Sequence, residues 1–384
     1  MNIKEEAYKI AVKTLESCVK DTGFYASGLS GGYEATWSRD SMITSLGASL
    51  IDDKFQDAFK NSLILLAKNQ SELGQIPNCV GSYNIDRRSD VTFNTLDSSL
   101  WFIIGHYVYS RAYKTHGLIE KYKNNIAKAL IWLKYQDPNE DKTLSQQPTM
   151  DWMDAFPHKY GRTINSHALY YAALNFVGDK KLARYVQRII NGEIQKYLSL
   201  FDPELGYYLP WSWKNHDGDR EQETWFDSLG NLLAITTGLA TPIIAQDIIS
   251  TIKKKKIDEP YPCKALWPPI EPGDKEWHSY FTKCDARVPF NYLNGGVWPF
   301  IGGFYVAALV KLNMMEEAEN ALDRLAEGNM RKMQIRDYKH QYEFNEWLSG
   351  KSGRAKGEPY QGWSAGMYIF AYESVKRRKV PYFG

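Results

Sequence analysis

Residues 95–134 read TLDSSLWFIIGHYVYSRAYKTHGLIEKYKNNIAKALIWLK, and this stretch decides the fold. Leu96, Leu100, Ile103, Ile104 and Val108 recur at helical spacing, which predicts a helix over 95–115. Ile126, Leu130 and Leu133 repeat the spacing, so 118–134 reads as a second helix. Only His116-Gly117 stands between them, a glycine stop with room for nothing but a tight turn joining antiparallel helices.

Outward from this hairpin the same unit recurs. Helical periodicity predicts helices over 3–20, 39–51, 54–69, 164–177, 180–198, 227–238, 241–253, 298–312, 315–327 and 362–376 as well. The links after the even-numbered helices are very short: Asp52-Asp53, His116-Gly117, Gly178-Asp179, Leu239-Ala240 and Asn313. The links after the odd-numbered ones run to roughly 18–40 residues, far above the usual connection length. Six helix pairs with tight turns at one end and long loops at the other predict an all-α (α/α)6 toroid barrel, a single domain over 1–384. Its even-numbered helices line the centre and its long loops gather at one rim, where function is expected. No two strand-like runs are read as joined by a two-residue Asn-Gly type turn, so strands are expected only as short pieces within loops.

The chain has 384 residues, 43% hydrophobic and 24% charged, an ordinary globular balance. Its 47 Lys and Arg nearly match its 45 Asp and Glu, so no net field draws nucleic acid or an anionic membrane, and neither is expected as a partner. The run from Lys253 to Lys256 reads as a solvated helix end. Cys18, Cys79, Cys263 and Cys284 share no CxxC spacing, which argues against zinc and for reduced thiols. The first twenty residues alternate charged and apolar residues without the continuous apolar core of a signal peptide, and no apolar run is long enough to span a bilayer. A cytoplasmic protein with no metal and no cofactor is the expectation; oligomeric state is left open.

Aromatic content is the departure, at 14% with 12 Trp. Eleven of the twelve fall in the long loops or in the first turns of the even helices: Trp37, Trp101, Trp152, Trp211, Trp213, Trp225, Trp267, Trp277, Trp298, Trp347 and Trp363. Large loops need large side chains for their own small cores, which accounts for any single tryptophan. A rim that collects nearly all of them suits sugar rings, whose C–H faces stack on flat aromatics. A small carbohydrate is the expected ligand.

Each even helix also opens on polar residues: Trp37-Ser38-Arg39-Asp40, Asn94 to Trp101 around Asp97, Asn165 with His167, Trp225-Phe226-Asp227, Asn294 to Trp298, and Gln361-Gly362-Trp363-Ser364. A short oxygen side chain at a helix start is ordinarily an N-cap, which covers about half of these. It covers neither Arg39 nor the accompanying tryptophans. Glycoside cleavage needs two carboxyl groups flanking the scissile bond, one protonated and one ionised. Asp154, among Trp152, Met153 and Phe156, suits the acid because apolar surroundings hold its proton on, with Asp151 as rival. Glu346 suits the base on the opposing wall, with Glu343 as rival.

The runs Asn94 to Trp101, Trp152-Met153-Asp154-Ala155 and Gly74-Gln75-Ile76-Pro77-Asn78 resemble segments of glycogen-debranching enzymes of the amylo-α-1,6-glucosidase type. The stretch Glu346 to Arg354, with Gln361-Gly362-Trp363-Ser364 and Asn294-Gly295-Gly296-Val297-Trp298-Pro299, resembles neutral/alkaline invertases. Both families are (α/α)6-barrel glycosidases. The resemblance implies that Asp154 is the general acid and Glu346 the general base of an inverting exo-glycosidase acting on an α-glucoside. It further implies that Arg39, Asp40 and Asp97 hold sugar hydroxyls. The substrate-binding set expected on these grounds is Trp37, Arg39, Asp40, Asp97, Trp101, Trp152, Asn165, His167, Trp225, Asn294, Trp298, Gln361 and Trp363.

The chain departs from the families at Leu293, where they usually carry His, and at Asn165, where they carry an acidic residue. The transferase and glycan-binding domains of a full debranching enzyme are not in this sequence, which favours a small glycoside over a glycogen particle. A sugar epimerase would want paired histidines at the barrel centre, and only His167 is well placed. A phosphorylase would want cations near Glu346, and Lys351, Arg354 and Lys356 keep it in view. A non-catalytic sugar-binding module would need the tryptophans but not two opposed carboxyls.

Overall fold

The computed structural model describes residues 2–81, 89–217, 219–334 and 340–383. In chain order the helices are α1 Ile3–Cys18, α2 Ser38–Ala48, α3 Gln56–Lys68, α4 Asp97–Ala112, α5 Gly117–Lys121, α6 Lys123–Lys134 and α7 Ile164–Val177. They continue as α8 Lys180–Ile190, α9 Ser228–Thr237, α10 Pro242–Lys254, α11 Pro299–Lys311, α12 Met315–Asn329 and α13 Gly362–Arg377.

Six of these close a ring. Helix α2 packs on α4, α4 on α7, α7 on α9, α9 on α11, α11 on α13, and α13 returns to α2. The others sit outside it: α3 against α2 and α4, α6 against α4, α8 against α7, α10 against α9, α12 against α11 and α13, and α1 against α13. This is the (α/α)6 toroid. The helix sequences show why each takes its layer. Every residue from Ser38 to Ala48 of α2 is buried, as is all of α11 from Pro299 to Val310. A helix apolar or small on all sides belongs inside. Outer helices bury one stripe, as α10 does with Ile244, Ala245, Ile248, Ile249 and Ile252. Where inner helices touch most closely glycine is required: a Cβ on Gly47 of α2 would collide with the Gly366 carbonyl of α13.

Long loops end in extended backbone running straight into inner helices, as at Ala35–Trp37 before α2, Arg162–Thr163 before α7 and Phe226–Asp227 before α9. Inner-helix N-termini therefore point at the long-loop rim. Tight turns close the other end, where Gly178 and Gly238 each adopt φ +88° after α7 and α9. That left-handed conformation ends a helix at no cost to a residue without Cβ.

Three expectations need correcting. The helix expected over 118–134 breaks at Tyr122 into α5 and α6. The helix expected over 180–198 stops at Ile190, because Asn191-Gly192 is a stop signal and Gly192 takes φ +80°. The two-residue hairpin signal thought absent is present. Trp211–His216 pairs antiparallel with Asp219–Gln222, and Asp219 lies opposite His216, with Asp217-Gly218 between them in sequence.

Candidate active site

Capping accounts for only part of the polar residues at the rim. Among the inner helices, Thr163 accepts from Ser166 N of α7 and Asp227 from Gly230 N of α9. The residues before α2, α4, α11 and α13 make no side-chain cap bond. Arg39 and Asp40 of α2 and Asp97 of α4 are thus free of that duty.

Arg39 sits at the centre of a buried charge cluster. Its Nη1 donates to Asp97 Oδ2 at 3.2 Å, its Nη2 to Asp154 Oδ2 at 3.4 Å, and its Nε lies 3.9 Å from Asp40 Oδ2. One guanidinium cannot neutralise three carboxylates. Burial raises the pKa of all three, opposed by Arg39, and Asp40 reaches about 6. Like charges this close retain a proton among them. Asp97 is fully enclosed, while Asp154 has 31% of its side chain exposed and faces the cavity.

The loop carrying Asp154 is held by an ion network that sequence reading missed. Lys159, 1% exposed, places Nζ at 2.9 Å from Asp151 Oδ2 and at 2.9 Å from Asp227 Oδ2, both fully buried. Asp151 also accepts from Gln146 Nε2 and Met153 N. The rival acid is therefore spent as the anchor of its loop, and Asp227 ties that anchor to α9.

Glu346 reaches the same cavity from the loop before α13. Its Oε1 accepts from Tyr33 Oη at 3.2 Å and its Oε2 from Glu358 N at 3.1 Å. Burial pushes its pKa up to about 8 against these two donors, with Asp40 and Glu358 adding to the rise. Glu343 is only half-buried and does not line the cavity.

The cavity holds about 180 Å³, and Asp154 and Glu346 both line it, with Arg39 and Asp40 at the α2 side. Its walls are Trp37, Trp152, Trp298 and Trp363, joined by Tyr33 and Tyr292, which the sequence reading did not single out. The tryptophans are set edge to face. Trp298 lies 5.5 Å from Trp152 and 5.7 Å from Trp363, and Phe300 stacks on Trp363 at 4.2 Å beneath them. Such packing fixes the rings before any ligand arrives. The indole N–H groups of Trp152 and Trp363 are buried without a hydrogen-bond partner among the described residues.

Other expected residues lie elsewhere. His167 is buried with both nitrogens engaged, Nδ1 to Thr163 O and Nε2 to Leu144 N, and burial lowers its pKa to about 4. Asn294 spends its amide on Ile270 N, Ile270 O and Ala286 O. Trp225 donates to Glu276 at 2.9 Å, and Trp101 is buried in α4. None of the four lines the cavity. Asn165 and Gln361 do not line it either; each is 1% exposed, and its side-chain amide has no partner among the described residues. Lys351, Arg354 and Lys356 do not line this cavity. Among the described residues no group of three or more His, Cys, Asp or Glu is arranged to hold a metal ion. No described helix is long and apolar enough to cross a membrane.

Known proteins share this architecture. Two curated plant relatives match over part of their length. Probable alkaline/neutral invertase D of Arabidopsis thaliana is 33% identical over 189 residues, 48% of this chain and 32% of the relative. Cytosolic invertase 1 of Oryza sativa subsp. japonica is 33% identical over 153 residues, 38% and 25%. The chain thus matches a third or less of these relatives. The solved structure of the GH63 mannosylglycerate hydrolase from Thermus thermophilus in complex with glucose superposes with TM-score 0.67 at 14% identity, over 94% of this chain and 98% of that one. A bacterial glucoamylase complexed with acarbose superposes with TM-score 0.63 at 16% identity, over 97% and 56%. Both are (α/α)6-barrel glycosidases, and the likeness is one of fold. The model of the amylo-alpha-1,6-glucosidase family matches residues 12–369, nearly the whole barrel, so the chain belongs to that family and is a glycoside hydrolase.

Proposed function

We propose that this protein is an inverting exo-glycosidase that hydrolyses a small glycoside, an α-glucoside, with Asp154 as general acid and Glu346 as general base. The observation that carries the reading is that the two carboxyls line one chamber sized for a single sugar ring and walled by tryptophan. Glu346 takes a proton from a water, whose oxygen attacks the anomeric carbon. Asp154 gives its proton to the departing glycosidic oxygen, and the product leaves with inverted configuration.

Charge counting supports the division of labour. Asp154 shares Arg39 with two further carboxyls, so a proton stays in its cluster. Glu346 receives two hydrogen bonds that favour its anion. Arg39, Asp40 and the tryptophans would grip the sugar, and the buried amides of Asn165 and Gln361 and the carboxylate of Asp97 would support them from behind. The α-glucoside assignment draws on the family and on the glucose and acarbose seen in proteins of the same fold. The reading extends to one catalytic domain, acting in the cytoplasm.

The elevated Glu346 pKa favours a second reading with the two roles exchanged. Leaving-group chemistry separates them. Asp154→Ala should keep most of its activity on an α-glucosyl fluoride, whose departure needs no proton, while Glu346→Ala should lose it and recover with azide. The opposite pattern exchanges the roles. Product released with retained configuration, followed by NMR, overturns the inverting reading for both.

A further inference from the structure

Glu346 is gripped by two turns that lie far apart in sequence. Its Oε1 accepts from Tyr33 Oη at 3.2 Å, and its Oε2 accepts from Glu358 N at 3.1 Å. A backbone bond doubles the second grip, with Glu346 N donating to Glu358 O at 2.8 Å. Between Glu346 and Glu358 the chain folds back on itself, Trp347–Leu348 pairing antiparallel with Ala355–Lys356.

A bare Cα lets the second turn come this close. Gly357 takes φ +73°, a left-handed conformation that glycine adopts at no steric cost. A Cβ added there would stand 2.6 Å from Glu346 Oε2, 2.6 Å from Trp347 Cδ1 and 2.7 Å from Glu346 Cβ. Carbon atoms in contact settle at about 3.5–4.0 Å, so the carboxyl or the turn would have to move. Either movement strains the bond from Glu358 N. The first turn is packed in the same way: a Cβ on Gly32, beside Tyr33, would stand 2.7 Å from Glu358 Oε1. The two turns therefore meet each other as well as Glu346.

We propose that Gly357 is a positioning residue for Glu346: its missing side chain lets the 357–358 turn close on the carboxyl and present the Glu358 amide to it. The consequence for catalysis rests on the role proposed above for Glu346; the positioning itself does not.

The test sets Gly357→Ala and Gly357→Asn against Gly353→Ala in the full chain. Gly353 lies in the turn of the same strand pair with φ +68°, and a Cβ there would stand 2.7 Å from Tyr261 Cε2. It reproduces the backbone strain and the crowding without meeting Glu346. The Glu346 carboxyl is titrated by NMR in protein labelled with ¹³C-glutamate, its resonance assigned by its loss in Glu346→Gln. None of the ionisable groups that act on it, Asp40 of α2, Tyr33 and Glu358 among them, is substituted. All three variants should melt below wild type. Both Gly357 variants should raise the Glu346 midpoint by about one unit, the share of one lost donor, and Gly353→Ala should leave it unchanged. Asn enters the left-handed region more readily than Ala, so Gly357→Asn should melt above Gly357→Ala and still show the full shift. A wild-type midpoint in Gly357→Asn would mean that Gly357 supplies only a backbone conformation, and overturns the proposal. A shift of the same size in Gly353→Ala overturns it too.

Kinetics separate this from the role of Glu346. The limb of the kcat/KM profile that Glu346 sets should move by the same unit, about a tenfold change at a pH on that limb. A moved midpoint with an unmoved profile upholds the positioning and removes Glu346 from the chemistry. Gly357 also borders a neighbouring chamber of about 460 Å³. A uniform fall at every pH with an unmoved midpoint would show that the added methyl crowds a ligand there, and overturns the proposal.

Discussion

The two walls of the inner chamber present carboxyls in opposite electrical settings. On the Asp154 wall, charge is dense and cross-linked: Arg39 serves three carboxyls, and Lys159 beneath clamps Asp151 to Asp227. On the Glu346 wall no ion pair among the described residues holds the carboxyl, which accepts from a phenol and a backbone amide. The first wall raises its carboxyls chiefly by burial, with neighbouring carboxyls adding to the rise and one shared cation opposing it. The second raises its carboxyl by burial too, with Asp40 and Glu358 adding to the rise and two neutral donors, not a cation, opposing it. Two acids can thus be raised by burial against different counterweights, a shared cation on one wall and neutral donors on the other, and the difference shows in how each wall responds to losing one group.

The largest effect should come from the carboxyls themselves. Asp154→Asn and Glu346→Gln should each lower kcat by about 10³–10⁴-fold, measured on whichever glucoside the wild type turns over. Near-normal turnover by either variant would remove that wall from the chemistry. Their stabilities should diverge. Glu346 ionises near 4.5 in the unfolded chain but holds its proton to about 8 in the folded one. Unfolding therefore releases a proton between those values, and wild-type stability falls as pH rises through that window. Glu346→Gln removes this slope. It should be more stable than wild type by on the order of 3 kcal/mol at pH 7, less about 1 kcal/mol for a donor left unmatched, with no advantage below pH 4.5. Chemical denaturation at three pH values reads the difference directly; a constant gap across pH would mean the carboxyl is not desolvated.

The next test falls on the clamp. Lys159→Met leaves Asp151 and Asp227 buried without their cation, which typically costs about 3–5 kcal/mol. Melting temperature should drop well beyond the scatter of surface variants. Lys159→Arg, which keeps the charge but not the compact ammonium, should recover only part of it. A fall in kcat larger than the fall in folded fraction would show that the clamp positions Asp154. An unchanged melting temperature would mean that water enters the loop.

Much of this molecule was legible in one dimension, and what escaped has a common cause. Periodicity in stretches such as Ile164–Val177 gives the helices because a buried face repeats along the chain, and the alternation of short and long links gives the ring. Trp37, Trp298 and Trp363 were found because each stands at the start of an inner helix, and Trp152 because it lies in a long loop, where the rim must be. Lys159 could not be found this way. It is an isolated lysine in a loop, and its meaning lies in Asp227, 68 residues onward. Tyr33 and Tyr292 are two of 26 tyrosines. The signals beside them, Gly31-Gly32 ahead of Trp37 and the neighbouring Asn294-Gly295, mark turns without saying what the turns face. His167 and Asn294 show the converse. Both stand beside the right motifs, but their polar atoms are consumed by Thr163, Leu144, Ile270 and Ala286, and only the folded backbone reveals it.

The smallest change on the Glu346 wall isolates its physics most cleanly. Tyr33→Phe deletes one hydroxyl and leaves the ring, so the wall keeps its shape while Glu346 loses the bond at 3.2 Å that favours its anion. A bond of this kind is worth about 0.5–1.5 kcal/mol, so the Glu346 pKa should climb by up to about one unit. If Glu346 must be ionised to activate water, the acid limb of the kcat/KM profile should move to higher pH by that amount, with the plateau nearly unchanged. If Glu346 is instead the proton donor, it is the alkaline limb that should move outward, extending activity to higher pH. One conservative substitution therefore reports which wall carries the proton. A profile that does not move on either limb would mean that the hydroxyl serves the sugar and not the carboxyl.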